Sequence, residues 1–145
     1  MIKGGEKTYQ QRITSNIGED LFEDYCQKAG YSYNRIGFDE QAGYVPNFQY
    51  LNPLLRNLPD YVVNTNDGVY VVCVKGTANI KEKEVNLLPL MIEWFSSKHA
   101  PLIYAFCFVG KKPILIYPEK IIQLYEKSFN KKWNDGVVYR TLEIE

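Results

Sequence analysis

Residues 59–75 read Pro59-Asp60-Tyr61-Val62-Val63-Asn64-Thr65-Asn66-Asp67-Gly68-Val69-Tyr70-Val71-Val72-Cys73-Val74-Lys75, the clearest local signal in the chain. Tyr61-Val62-Val63 and the run from Val69 to Val74 are both β-rich. Asn66-Asp67-Gly68 between them is a turn signal, so the stretch predicts a β-hairpin. The second run is apolar on both faces, the pattern of a central strand covered on either side. Lys75-Gly76 ends it. A lysine closing an apolar strand is costly unless it is paired or reaches a site at the edge of the sheet.

Upstream, Ile17, Leu21, Phe22, Tyr25, Cys26 and Ala29 recur at helical spacing. Ser15 or Asn16 can cap the start and Gly30 can end it, which predicts a helix over 15–30. A short strand is expected over 31–36. Residues 37–58 carry Gly37, Gly43, Pro46, Asn47, Asn52 and Pro53 and read as a long irregular connection, which in a small domain is usually functional or mobile. Its aromatics Phe38, Tyr44, Phe48 and Tyr50 suit core cover in the common case and base stacking in the rarer one.

Downstream, the spacing of Leu87, Leu88, Leu90, Met91, Ile92, Trp94 and Phe95 predicts a helix over 86–98, with Pro89 in its first turn. Strands are expected over 102–109 and 114–117, a helix over 118–129 and a last strand over 137–142. This order predicts an α/β fold with a mixed central sheet flanked by helices. The 145 residues suit a single domain, with residues 1–13 as a flexible arm or edge strand.

Composition removes several function classes. No run of eighteen apolar residues is present, so no membrane span is expected. Residues 1–6 hold no apolar signal region, which predicts a cytoplasmic protein. Cys26, Cys73 and Cys107 are an odd set with no CxxC pair, which argues against a disulfide framework or zinc knuckle and for buried reduced thiols. His99 is the single histidine, so a histidine-based nuclease or a histidine-rich zinc site is not expected, and its place near a helix end suggests a contact there. The formal net charge is zero, so nucleic-acid binding has to rest on a local basic surface.

Phosphodiester hydrolysis requires a metal ion on the phosphate, an attacking water, and positive charge against the developing anion. Hard ions such as Mg2+ take oxygen ligands. An economical layout places one acid at the start of a strand, and a second acid and a lysine two residues apart on its neighbour, since residues i and i+2 share a face. Here Asp60 opens one strand, while Cys73 and Lys75 share a face of the next.

This pattern resembles the PD-(D/E)XK nuclease superfamily, and within it the small archaeal-type Holliday junction resolvases. Gly18-Glu19 stands where that group carries a first-helix glutamate in a Gly-Glu context. The helix after the lysine and the strands Pro101–Phe106 and Pro113–Pro118 follow its order, so the resemblance covers roughly residues 14–118. It implies a restriction-endonuclease-like fold and a metal-dependent DNA endonuclease acting on branched or structured DNA such as Holliday junctions. Implied with it are Mg2+ or Mn2+, DNA as partner and a homodimer. Asp60 would be the central metal ligand, with Glu19 and the main-chain carbonyl of Val74 assisting. Lys75 would orient or activate the water and stabilise the transition state.

Cys73 departs from the pattern, which has an acid there. A thiol is a soft ligand and a poor substitute for a carboxylate on Mg2+. The acid is supplied from elsewhere (Glu19 foremost, then Glu82, Glu84 or Glu93), or the metal is softer, or catalysis has been lost and binding kept. The alternative to an enzyme is therefore a catalytically degenerate nuclease-fold protein that binds nucleic acid or a protein without cutting. A third class, an interaction protein with no nucleic-acid role, rests on the zero net charge. Plainer roles stand beside the sharp ones. Asp60 can simply start a strand, Glu19 can join an N-terminal cap with Asn16, and Cys73 can be a packed thiol. Lys81, Lys83, Lys111 and Lys112 are candidates for a phosphate-binding face, as are Lys98, Lys131 and Lys132, although most surface lysines are simply solvated.

Overall fold

A computed structural model of the protein describes residues 17–36 and 58–144. The arm read over 1–13 and the connection read over 37–58 lie outside the described residues, Leu58 excepted.

The first helix, α1, covers residues 17–29. Strands β1 (Ser32–Arg35), β2 (Tyr61–Thr65) and β3 (Gly68–Lys75) follow. Then come β4 (Asn79–Lys81), α2 (Glu82–Trp94), β5 (Leu102–Phe106) and β6 (Ile114–Ile116). The described chain closes with α3 (Pro118–Glu126), β7 (Lys131–Lys132) and β8 (Val138–Thr141). A five-stranded sheet runs β1-β2-β3-β5-β6, and a three-stranded sheet runs β4-β8-β7. The β3–β5 pair is parallel and its neighbours are antiparallel, so the central sheet is mixed, as the sequence predicts.

The hairpin is as expected. Thr65 pairs with Gly68 across a two-residue loop, and the Thr65 hydroxyl donates to the Gly68 carbonyl at 2.9 Å while accepting from the Asp67 N–H at 3.1 Å. The double burial of β3 follows from its alternation. Val72 and Val74 pack with Phe22 and Cys26 of α1 on one face. Val71 and Cys73 pack with Leu88 and Met91 of α2 and Ile121 of α3 on the other. Helices therefore cover both faces. Tyr104, Phe106 and Leu88, all fully buried, each contribute about 1.5–3 kcal/mol of apolar burial.

Several boundaries move. Helix α2 begins at Glu82, so Pro89 falls inside it, where its exposed ring meets solvent. The missing N–H there leaves one helical hydrogen bond unmade. The strand expected over 102–109 ends at Phe106, and α3 stops at Glu126. Strands β4 and β7 are short polar segments, Asn79-Ile80-Lys81 and Lys131-Lys132, with no apolar alternation for a sequence pattern to register. Among the described residues, no helix is long and apolar enough to cross a membrane.

Candidate active site

Strand β3 and its parallel partner β5 end together, with Lys75 beside Phe106, and the start of β2 and the first turn of α2 meet them at that edge. Asp60 sits just before β2. Its N–H donates to the carbonyl of Val72 at 2.9 Å, the residue already paired with Tyr61. Two residues thus face one, the arrangement of a β-bulge, which re-aims a side chain. Pro59 behind it has no N–H to continue the ladder. The Asp60 carboxylate takes up the pairing instead, its Oδ2 accepting from the Val74 N–H at 2.7 Å. The Val74 carbonyl leaves the strand on the same edge as that N–H, and so towards Asp60.

Lys75 shares the face of Cys73 and reaches α2, as alternation requires. Its Nζ lies 2.7 Å from both Oε1 and Oε2 of Glu84. The Lys75 side chain is 25% exposed and that of Glu84 12%. Glu84 lies in the first turn of α2, where a negative charge meets the positive end of the helix dipole. Its Oε2 also accepts from the Tyr104 hydroxyl at 3.1 Å. Burial alone would lower the pKa of Lys75, but the charge and hydrogen bond of Glu84 outweigh it and the net shift is upward. Lys75 is therefore an ammonium at neutral pH.

Cys73 sits among these groups. Burial foremost, then the Asp60 and Glu84 charges, push its thiol well above the usual range. Burial and the same acids raise Tyr104 likewise. Cys73 is thus a neutral thiol packed beneath two carboxylates, and the plain sequence expectation of a packed thiol fits its surroundings.

Glu19 is placed differently. The close approach of Gly18 to β3, where an added Cβ would stand 2.8 Å from Gly76 Cα, brings the start of α1 to the same edge. The Glu19 carboxylate is engaged by Arg35, Nη1 to Oε2 at 3.1 Å. Arg35 also pairs with Glu23 at 3.2 Å and lies over the Tyr61 ring at 5.2 Å. Glu23 accepts from the hydroxyls of Tyr33 and Tyr61. Burial, reinforced by the Glu23 hydrogen bond, raises the pKa of Tyr61. A compact acid–arginine–tyrosine network therefore stands on the α1 face behind Asp60.

Of the lysines, Lys81 ends β4 next to Glu82, and the charge of Lys75 is felt there. Lys83 is exposed in the first turn of α2. Lys111 and Lys112 are exposed in the turn after β5, at the sheet end that carries Lys75. Sequence reasoning did not single out Arg35, Glu23, Tyr61 or Tyr104. It held Glu84 only as a lesser candidate, because the eight residues between Lys75 and Glu84 give no pattern linking them. Among the described residues no group of three or more His, Cys, Asp or Glu side chains is placed to hold a metal ion. A groove of about 320 Å³ lined by Phe22, Tyr25, Tyr31, Tyr70 and Tyr117 lies elsewhere, and none of Asp60, Lys75 or Glu84 lines it.

No family model matches the chain, and no curated protein matches it. Among solved structures, the chain is similar to Hjc, a Holliday junction resolvase from the archaeal hyperthermophile Archaeoglobus fulgidus. The identity is 15% over 86% of this chain and 85% of that one, with a TM-score of 0.45. The likeness is distant and says nothing of individual side chains.

Proposed function

We propose that this protein is a DNA endonuclease of the PD-(D/E)XK type in which Glu84, from the helix that follows β3, supplies the acid missing at Cys73. One observation carries this: the bidentate contact of Glu84 with Lys75 at 2.7 Å, one strand away from Asp60. Glu84 takes the role that the sequence assigned first to Glu19, whose carboxylate faces Arg35.

The donor set suits a hard divalent ion. Mg2+ binds through one or two carboxylates and keeps several waters, and Asp60 and Glu84 with the Val74 carbonyl would hold it. The neutral Cys73 thiol would not. Such an ion, when bound, would neutralise phosphate charge and lower the pKa of a coordinated water. The protein's own groups would do the rest. The Lys75 ammonium would stabilise the negative charge that develops on the phosphoryl oxygens, and its raised pKa suits that role better than proton abstraction. Tyr104 would keep Glu84 oriented. Water would attack phosphorus directly, with no covalent intermediate. Branched DNA and a homodimer remain part of the proposal through the sequence resemblance.

The test is cleavage of labelled junction, duplex and single-stranded DNA with Mg2+ or Mn2+. Wild type is expected to cut, and Asp60→Asn and Glu84→Gln are each expected to lose at least about 100-fold in rate, as removal of one transition-state stabilising group does. A second reading, a binding protein without catalysis, is favoured by the buried, neutral Cys73 thiol at the position of the second acid. Cleavage that appears only in Cys73→Glu would establish that reading.

A further inference from the structure

The three-stranded sheet takes no part in the site described above, yet it begins beside it. Its two faces differ in kind. On the inner face, Ile80 is fully buried, and Arg140 opposite it turns towards α3. There the Arg140 guanidinium donates to the Tyr125 carbonyl at 2.5 Å and lies 4.4 Å over the Tyr125 ring. Alternation then sends the neighbouring residues outward. Lys81 pairs with Tyr139, and Tyr139 pairs with Lys131, so these three form one row across the outer face. Asn79 and Thr141 form the next row.

This outer face is polar and carries no acid in either row. The Lys131 ammonium donates to the Thr141 hydroxyl at 3.2 Å, and that hydroxyl donates to Asn79 Oδ1 at 2.7 Å. Trp133 stacks on Tyr139 at 4.2 Å and 15°, and the Lys81 ammonium lies 5.9 Å from the indole centroid. The indole face thus lies within cation–π reach of the Lys81 ammonium. Desolvation first, and then the charge of Lys75, lower the pKa of Lys81, while Glu84 and Asp135 partly oppose this. Two cations share one electrostatic neighbourhood, an arrangement that an incoming anion relieves.

We infer that the outer face of the β4-β8-β7 sheet, along the row Lys81–Tyr139–Lys131, holds the phosphodiester backbone of the DNA strand that enters the Lys75–Glu84 site. The inference rests on the DNA-directed reading above and adds a contact surface to it. The donors are those that phosphate oxygens accept, two ammonium groups and a hydroxyl. The row leads away from Lys75, so phosphates flanking the reacting one would lie along it.

The test is the salt dependence of binding a fluorescein-labelled DNA duplex, read by anisotropy without divalent metal so that cutting does not intervene. Lys81→Met with Lys131→Met keeps both stems against the sheet and removes both charges. Lys28→Met with Lys120→Met, two exposed lysines outside this sheet, is the charge-matched control. Each phosphate contact contributes a slope of about −0.9 in log K against log salt, so each lost contact reduces the affinity drop between about 50 and 200 mM salt by about 3.5-fold. The Lys81/Lys131 pair is expected to flatten the slope by about 1.8, and the control pair to leave it unchanged. Equal slopes in both variants would overturn the inference while leaving DNA binding intact. A flat slope in wild type would overturn the DNA-directed reading and this inference with it.

Discussion

Glu84→Ala leaves the Lys75 ammonium without its carboxylate in a place where only 25% of the side chain meets solvent. Removing one partner of a fully buried ion pair costs about 3–5 kcal/mol, and an exposed pair is worth about 0–1 kcal/mol. With Lys75 a quarter exposed, about 2–3 kcal/mol is expected after discounting for solvent screening. The hydroxyl of fully buried Tyr104 loses its acceptor as well, which adds about 1 kcal/mol. The single variant should therefore lose about 3–4 kcal/mol, a fall of about 1–4 M in the urea midpoint at typical m-values. Lys75→Met in the same chain removes the stranded charge, so the double variant should be less destabilised than the sum of the singles, with a coupling of about 2 kcal/mol. The assay is equilibrium urea unfolding of the four proteins at neutral pH. A coupling below about 0.5 kcal/mol would mean a solvent-screened surface pair and would refute the geometry on which the site rests.

Gly18→Ala should destabilise by about 1–3 kcal/mol, because the new Cβ meets backbone atoms of Gly76 at 2.8 and 2.9 Å; unchanged thermal stability would mean that α1 does not dock there. Cys73→Glu places a third carboxylate in a buried position beside Asp60 and Glu84, so it should lower the melting temperature in EDTA and recover part of the loss when Mg2+ is added; no gain in the variant on adding Mg2+ would contradict this. Burial holds the Cys26 thiol at about 11 and the Cys107 thiol at about 12, both up from 9.0. Raised values favour the folded state while the thiols are protonated, so their contribution is whole below pH 9.0 and is lost as pH climbs through 11 and 12. Urea midpoints should fall over that window, and Cys107→Ala should make the fall shallower.

The hairpin was legible because Asn66-Asp67-Gly68 separates two β-rich runs, and the central place of β3 because apolar residues fill both of its faces. The same logic put Lys75 on the face of Cys73. What escaped the sequence is what tertiary packing decides. Glu84 meets Lys75 because α2 starts at Glu82 rather than four residues later, and polar residues at a helix start carry no apolar period to reveal it. Tyr104 looked like core, which it is, and its hydroxyl gains meaning only once Glu84 is placed above it. Arg35 ends a short strand, and nothing in its neighbourhood of sequence announces the glutamates of α1. The small sheet is built from segments of two to four residues, and β4 finds its partner β8 some sixty positions on, Asn79 with Thr141 among the pairs.

The most direct trial of the site is anomalous diffraction from crystals soaked in Mn2+. An ion held by the carboxylates of Asp60 and Glu84 beside the Val74 carbonyl is the expected result. An ion at Glu19 with Glu84 still paired only to Lys75, or no ion at Asp60 at saturating Mn2+, would contradict the assignment of Glu84 as the missing acid.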